Sequence, residues 1–505
     1  MNLPKMPFPY RDISSEEQRK FSQQKFIQFL RDIVFPYHPY YRKLFKEFGL
    51  HPEDMKSDED IRQIPLTEKK DLAANPDQFI LQPNFPEKRK HQETEEISSV
   101  LYRGYREQAE KEIFYRDIFG GERKEEERVY QAFLREWMPI HFQRSGGTSG
   151  LASWSCYTFN EIQRVYSKMG AMQYVIRGFE PYTKILNLFP GAPHLGIYQM
   201  LIAPLLDGWP SFNTFGGKAT PTETSIELAA RENFRAICSL PSYLTYWLET
   251  AMKMLADRRI SPLETFEFAI CAGEPMTPAY VARLKSQFEA LGSRTRIIEC
   301  MGSTELKSGF FECDEGTKLH LNPEFYYWEV LHPETREPVP WGEPGVLVFS
   351  HIDWRGTVLL RFWTGDYVTG GVVWDECPRC GLVGPRAVTP ITRAAKDFVK
   401  IRGARVELLD LQTAVRKCRE VESFQIRIGK EDEKDSFSRD WVKIYVAPRP
   451  GYSEEQVRIA VEERVRRDTE VTPNEIIFLT GKEVEEKLFA RTGIKADWIV
   501  DERKI

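Results

Sequence analysis

The sequence predicts an α/β chain: a large multi-layered N-terminal domain with β-sheets, a small β-rich subdomain late in that domain, and a small α+β C-terminal domain. Three observations predict it. From about residue 140 to 300, short apolar stretches such as Lys184-Ile185-Leu186-Asn187-Leu188-Phe189 and Phe266-Glu267-Phe268-Ala269-Ile270-Cys271 alternate with amphipathic helical patterns. From about 320 to 395 the stretches shorten and are punctuated by Gly and Pro. From about 396 the pattern starts afresh. There, Phe424-Gln425-Ile426-Arg427-Ile428 and Trp441-Val442-Lys443-Ile444-Tyr445-Val446 flank a charged loop, and a helix runs from Ser453 to about Asp468. A chain of 505 residues also exceeds what one core supports, since single cores stop growing near ~250–300 residues. We therefore expect domains at 1–395 and 396–505.

Residues 1 to about 80 read as helical, with apolar residues at helical spacing from Phe21 to Val34. Residues about 86–136 are very charged, densest at Glu122-Arg123-Lys124-Glu125-Glu126-Glu127-Arg128, and read as a solvated helical insertion. A second reading makes this insertion a cover or a homodimer surface built on Tyr102, Tyr105, Phe114, Tyr115, Phe119 and Tyr130. There are no internal repeats and no low-complexity segments.

Composition excludes several classes. A net charge of −5 gives no reason to expect a nucleic-acid partner. No apolar run reaches membrane-spanning length, and Met1-Asn2-Leu3-Pro4-Lys5-Met6-Pro7 lacks a signal peptide's apolar core. The eight Cys are scattered apart from one pair, which fits a reduced cytoplasm better than a disulfide framework.

The chemistry is carried by short motifs. Arg144-Ser145-Gly146-Gly147-Thr148-Ser149-Gly150 is a run of small and hydroxylated residues beside an expected strand. Small residues let backbone curl around an anion, offering N–H groups and hydroxyls to phosphate oxygens, although such a run is also an ordinary loop. Cys300-Met301-Gly302-Ser303-Thr304-Glu305 reads as a strand ending in a Gly turn. A hydroxyl and a carboxylate follow, suited to an α-phosphate and to Mg²⁺. In Arg361-Phe362-Trp363-Thr364-Gly365-Asp366, an Asp at a strand end is suited to accept from both hydroxyls of a ribose. Lys495 lies ten residues before the last residue, in Arg491-Thr492-Gly493-Ile494-Lys495.

Together these motifs resemble the adenylate-forming superfamily of acyl-CoA synthetases, and more closely its phenylacetate–CoA ligase branch. Pro39-Tyr40-Tyr41-Arg42-Lys43-Leu44-Phe45 and Ile64-Pro65-Leu66-Thr67-Glu68-Lys69-Lys70-Asp71-Leu72 look like that branch's N-terminal helices. Gly216-Gly217 and Ser239-Leu240-Pro241-Ser242-Tyr243 resemble its mid-chain strand ends. Gly273-Glu274-Pro275 resembles its adenine-side loop, and Lys400-Ile401-Arg402-Gly403 the start of its mobile C-terminal domain. There are departures. Leu151-Ala152-Ser153 stands where the phosphate loop often carries a Lys, Met301 replaces the usual Tyr, and Lys396-Asp397 replaces a pair of Asp near the hinge.

The resemblance implies two half-reactions. A carboxylate attacks the α-phosphate of ATP to give an acyl-adenylate and pyrophosphate, and the thiol of coenzyme A then displaces AMP. Ser145 to Gly150 would hold the β- and γ-phosphates, Thr304 the α-phosphate, Glu305 the Mg²⁺, and Asp366 with Arg393 the ribose. Lys495 would bridge carboxylate and α-phosphate; the C-terminal domain would then rotate, removing it and bringing Arg402-Gly403 toward the thiol. The branch suggests an aryl or arylacetic acid, in a pocket drawn from Tyr157, Phe189, His194, Tyr198 and Phe215. A carrier-protein thiol is the alternative acceptor. A P-loop NTPase is disfavoured because no Gly-Lys-Ser/Thr ends the Ser145 run. A non-catalytic binding protein is disfavoured by the joint presence of Thr304, Glu305, Asp366 and Lys495.

A separate constellation is Cys313, His320, Cys377 and Cys380, where Cys377 and Cys380 form a Cys-x-x-Cys turn. Four such N/S ligands make a closed structural Zn²⁺ site without an open position for catalysis. Cys156, Cys238, Cys271 and Cys418 read as core residues. His141 and His194 are the histidines near the expected site loops, and each reads as a surface or core side chain.

Overall fold

The computed structural model describes residues 13–86, 88, 90–111, 125–145, 153–167, 176–180, 182–191, 194–274, 276–393, 398–401, 404–431, 440–469, 471–490 and 496–503. They form two units: one of residues up to 276, 280–364 and 368–389, the other of 390–505 with the short pieces 277–279 and 365–367.

The first unit starts with helices. α1 (Ser15–Phe29) begins at a capping box in which Ser14 and Glu17 satisfy each other's backbone N–H. α2 (Pro39–Glu47) and α3 (Lys69–Ala74) follow. His38 caps α2: its Nδ1 accepts from the Tyr41 N–H at 3.3 Å while its Nε2 donates to Val358 O at 3.0 Å. α4 (Ser99–Lys111) and α5 (Glu125–Trp137) carry the described part of the charged segment. Its outward faces are charged, but the inward face is core and corrects the expectation of a wholly solvated insertion. Tyr105 and Trp137 are buried and joined by a 2.7 Å hydrogen bond, and Phe133 packs edge-on to both Tyr105 and Phe85. Arg355 reaches Glu136 at 2.7 Å under the Trp137 ring. The cause is periodicity: α5 places Val129, Ala132, Phe133, Glu136 and Trp137 on one stripe.

β1 (Pro139–Arg144) and β2 (Trp154–Thr158) form an antiparallel hairpin with Arg144 opposite Trp154. The main sheet then assembles from β3 (Ile185–Asn187), β4 (Ser211–Asn213), β5 (Ala236–Ser239), β6 (Phe268–Ala272), β7 (Arg296–Ser303) and β8 (Ser308–Phe311), in the order β4-β3-β5-β6-β7-β8. All are parallel except β8. The apolar runs of β3, β5 and β6 are the signature of parallel strands covered on both faces. α6 (Leu195–Asp207), α7 (Thr222–Arg231), α8 (Pro241–Ala256) and α9 (Pro278–Ala290) connect them, and Trp247, Leu248, Phe266, Leu284 and Phe288 fill the core on one side.

Two smaller antiparallel sheets complete this unit. β10 (Tyr326–Leu331) pairs with β11 (Gly345–His351), and β12 (Phe362–Val368) lies beside β11. β14 (Val383–Ala387) pairs with both β13 (Val372–Glu376) and β9 (Leu319–His320).

The second unit contains β15 (Ile391–Arg393), a hairpin of β16 (Phe398–Ile401) and β17 (Ala404–Glu407), and α10 (Leu408–Arg416). A four-stranded sheet follows, with β18 (Val421–Lys430) and β19 (Asp440–Pro448) antiparallel at its centre and β20 (Glu475–Phe478) and β21 (Ile499–Asp501) parallel at its edges. α11 (Glu454–Thr469) and α12 (Gly481–Phe489) belong to the same unit, and Val457, Val461 and Val465 of α11 pack against Ile426, Ile444 and Leu411. No helix among the described residues is long and apolar enough to cross a membrane.

Candidate active site

The Ser145–Gly150 run falls in the connection between β1 and β2. Gly146, Gly147, Thr148, Ser149 and Gly150 lie outside the described residues, but both ends of the loop are fixed. Ser145 N donates to Ser153 O at 2.8 Å, Ser153 N donates to Ser145 Oγ at 2.9 Å, and the two hydroxyls meet at 3.1 Å. A backbone pair and a hydroxyl pair thus hold Ser145 and Ser153 together at the neck of the loop.

Ser153 also reaches across to the second motif. Its Oγ donates to Glu305 Oε1 at 2.5 Å, and the Lys69 ammonium, brought in on α3, lies 3.3 Å from the same oxygen. Burial opposes charge on Glu305, but Lys69 and the Ser153 hydroxyl outweigh it and hold the carboxyl below its usual range. Glu305 is therefore an ionised, buried carboxylate beside the neck of the loop. Neither Lys69 nor Ser153 is among the site residues expected from the sequence. The signal was the absent loop lysine: the cation comes from an element read there only as an N-terminal helix.

The motif's backbone differs from the sequence expectation. The strand does not end at Gly302. β7 continues through Met301-Gly302-Ser303, paired with Phe310, Gly309 and Ser308, and the turn comes at Thr304-Glu305-Leu306-Lys307. Gly302 lies opposite Gly309, and a Cβ on Gly302 would stand 2.8 Å from Ser308 O and 2.9 Å from Leu195. Glycine here serves close packing of α6 and β8 rather than a bend. Thr304 is buried, Met301 half-buried, and the Cys300 thiol is buried and pushed up by burial and by Glu299.

The other motifs cluster at the carboxyl ends of the parallel strands, the edge where open α/β sheets bind ligands. After β3, Gly191 N donates to Phe215 O at 2.9 Å. Gly216 has φ +81°, and a Cβ there would lie 2.9 Å from Pro190 Cα. After β6, Gly273 takes φ +88°, and Glu274 accepts from Ser242 N at 2.9 Å and Ser242 Oγ at 2.7 Å, tying that loop to the start of α8. Pro275 lies outside the described residues. His194 Nδ1 lies 2.8 Å from Arg144 O, and His141 stacks edge-on to Tyr198 with its imidazole drawn down by burial. Phe189 is buried and Phe215 exposed. Tyr157, expected in the acid pocket, is fully buried instead, its hydroxyl 3.0 Å from Gln143 Oε1 and 3.1 Å from Lys307 O.

Asp366 is not at a strand end; it is the fifth residue of β12, just after Gly365 with φ +72°. Two residues earlier, Thr364 Oγ1 donates to Leu347 O of β11 at 2.6 Å. Arg393 ends β15. Arg402, Gly403 and Lys495, and the hinge pair Lys396-Asp397, lie outside the described residues.

The small β9–β14–β13 sheet brings the Cys/His set together. Cys377 and Cys380 occupy the turn between β13 and β14, His320 lies opposite Arg386 on β9, and Cys313 follows β8. Their ligand atoms all lie within 4.8 Å of one another, with Cys313 Sγ 3.5 Å from Cys377 Sγ and Cys380 Sγ 3.6 Å from His320 Nε2. Zn–S bonds of about 2.3 Å give a tetrahedral edge of about 3.8 Å, so three thiols and an imidazole at this spacing fit Zn²⁺.

The chain matches the family model described as AMP-binding enzyme over residues 81–353. It is 25% identical over 434 residues to a phenylacetate–coenzyme A ligase of Thermus thermophilus, covering 83% of this chain and 80% of that protein. It is 22% identical to a phenylacetate–coenzyme A ligase of Aromatoleum evansii, covering 81% and 78%. Among solved structures it shares its fold with a 2-hydroxyisobutyryl-CoA ligase in the postadenylation state in complex with R3-HIB-AMP, at a TM-score of 0.74 and 16% identity over 100% of this chain and 95% of that one.

Proposed function

Given that the chain belongs to the AMP-binding enzyme family, we propose that it is an AMP-forming acid–CoA ligase acting on an aryl or arylacetic acid. The observation that carries the reading is the link from the Ser145–Ser153 loop neck to the ionised Glu305 carboxylate. That link supports the reading because it leads from the ends of a run suited to phosphate to an anion suited to a phosphate-bound metal. The phenylacetate-like acid rests on the ligases of Thermus thermophilus and Aromatoleum evansii.

In this reading the Ser145–Gly150 loop donates to the β- and γ-phosphates and the Thr304 hydroxyl to the α-phosphate. Lys69 adds the positive charge that Leu151 and Ala152 do not supply. Asp366 and Arg393 hold the ribose. Lys495 offsets the charge that builds as the acid attacks, worth roughly 10²-fold or more for one preorganised contact. The C-terminal domain then turns about a hinge near Lys396 and presents Arg402-Gly403 to the thiol. A hard, ionised oxygen donor fits Mg²⁺, and Glu305 would hold it. Bound there, such an ion would supply charge screening to the phosphates. Zn²⁺ at Cys313, His320, Cys377 and Cys380 would be purely structural. A cytoplasmic location belongs to the same reading, since the scattered cysteines of the sequence suit a reduced compartment.

The test is a panel of acids assayed for ATP–pyrophosphate exchange and for AMP release with and without CoA. Exchange that needs an acid, and AMP release that needs free CoA, support the reading. Exchange without a CoA requirement moves the acceptor to a carrier-protein thiol. Absence of acid-dependent exchange overturns it.

A further inference from the structure

Three side chains spaced four residues apart, Ser153, Tyr157 and Glu161, each contact the segment Glu305-Leu306-Lys307. Ser153 Oγ donates to Glu305, Tyr157 Oη donates to Lys307 O at 3.1 Å, and Glu161 takes the Lys307 ammonium. Both side chains of this last pair are wholly buried. Lys307 also donates to Thr357 O at 3.2 Å, and its ammonium lies 4.6 Å from the ring centres of Tyr157 and Trp354. The second Glu161 oxygen accepts from Thr158 N at 2.8 Å and Gly356 N at 3.2 Å. Lys307 itself sits at φ +61°, and Lys307 N donates to Ser303 O at 3.0 Å, closing the turn that carries Thr304 and Glu305.

A buried ion pair is a poor source of stability, because desolvation cancels most of the attraction and a packed apolar pair does as well. What it does supply is one geometry. We propose that Glu161 and Lys307 are positioning residues that lock the Thr304–Lys307 turn against the helical turn that follows β2, so that Glu305 meets the metal–nucleotide complex in a single orientation. The inference rests on the reading of Glu305 as the Mg²⁺ carboxylate.

Calorimetric titration of the full chain with ATP, with and without Mg²⁺, tests it. The variants are Glu161→Gln, Lys307→Met, both together, and Glu329→Gln. Glu329 is a control of equal kind: a buried carboxylate paired with Arg361 at 2.9 Å, on β10. In the first two variants the Kd for Mg–ATP should rise about tenfold or more, as for the outer partners of other metal sites. The Kd for metal-free ATP should hold steady. The double variant should recover melting temperature without recovering Mg–ATP affinity. Glu329→Gln should lose melting temperature and keep the affinity. If Glu161→Gln does not fold, Tyr157→Phe keeps both charges and should give a smaller shift in the same direction. A folded Glu161→Gln protein, or in its place Tyr157→Phe, that binds Mg–ATP like the parent overturns the positioning role. A parent chain that binds ATP equally with and without Mg²⁺ overturns the Glu305 reading, and the positioning role with it.

Discussion

The Lys69 ammonium stands 3.3 Å from Glu305 Oε1, joining the first turn of an N-terminal helix to the turn after the fifth parallel strand of the main sheet. In the proposed function this is the cation that would stand in for the one Leu151 and Ala152 do not supply. Lys69→Met should lower acid-dependent ATP–pyrophosphate exchange by roughly 10–10²-fold, the scale of losing one aimed charge. Lys69→Arg should restore part of it. Unchanged exchange in a folded Lys69→Met protein would leave Lys69 as a surface partner of Glu305 and nothing more.

Lys495→Ala should separate the half-reactions. Adenylate formation should fall by roughly 10²-fold or more, while thioester formation from supplied acyl-adenylate should change far less. Equal losses in both would remove the role assigned to Lys495.

The Cys313–His320–Cys377–Cys380 cluster should carry about one Zn²⁺ per chain, because four N/S ligands saturate a tetrahedral ion. Cys377→Ser should lose metal and melting temperature together, since binding to such a site is coupled to folding. Metal analysis of protein purified without chelator reads the first, and thermal unfolding the second. Cleanly folded protein with no bound metal would refute the assignment.

His38 gives a pH dependence with a definite sign. Burial away from water holds its imidazole down to about 3, from an ordinary value of 6.5, and outweighs the hydrogen bond to Val358 O, which favours the protonated ring. Between those values the unfolded chain binds a proton that the folded chain refuses. Stability is therefore full above about pH 6.5 and falls with decreasing pH by about 1.4 kcal/mol per unit, or about 2 kcal/mol by pH 5. Thermal unfolding at pH 5 and pH 7 should show a smaller difference for His38→Gln than for the parent. An identical difference would assign the acid sensitivity to other groups.

How much of this was legible depended on whether the deciding contacts were local. The parallel strands were readable because β3, β5 and β6 are short, fully or almost fully buried stretches dominated by apolar residues, such as Phe268-Ala269-Ile270-Cys271-Ala272. The end of β7 was misplaced because glycine looks like a turn in one dimension, whereas Gly302 makes room for Leu195 and Gly309. Asp366, expected at a strand end, lies inside β12 instead. The helices around Tyr105 and Trp137 looked solvated because their charge count hides an apolar stripe. Glu161 and Lys307 gave no signal at all: either residue type reads as surface until its partner, far away in the chain, is seen.

Seven residues, 146–152, separate Ser145 from Ser153. Ser153 carries two tasks on separate atoms: its backbone N–H and C=O close the span onto Ser145, and its hydroxyl reaches Glu305. The backbone task survives any change of side chain, while the second task belongs to the hydroxyl alone. Ser153→Ala would therefore keep the ends of the span joined and strip Glu305 of its hydroxyl partner, so that one atom, and not the closure of the loop, decides whether the two motifs stay connected.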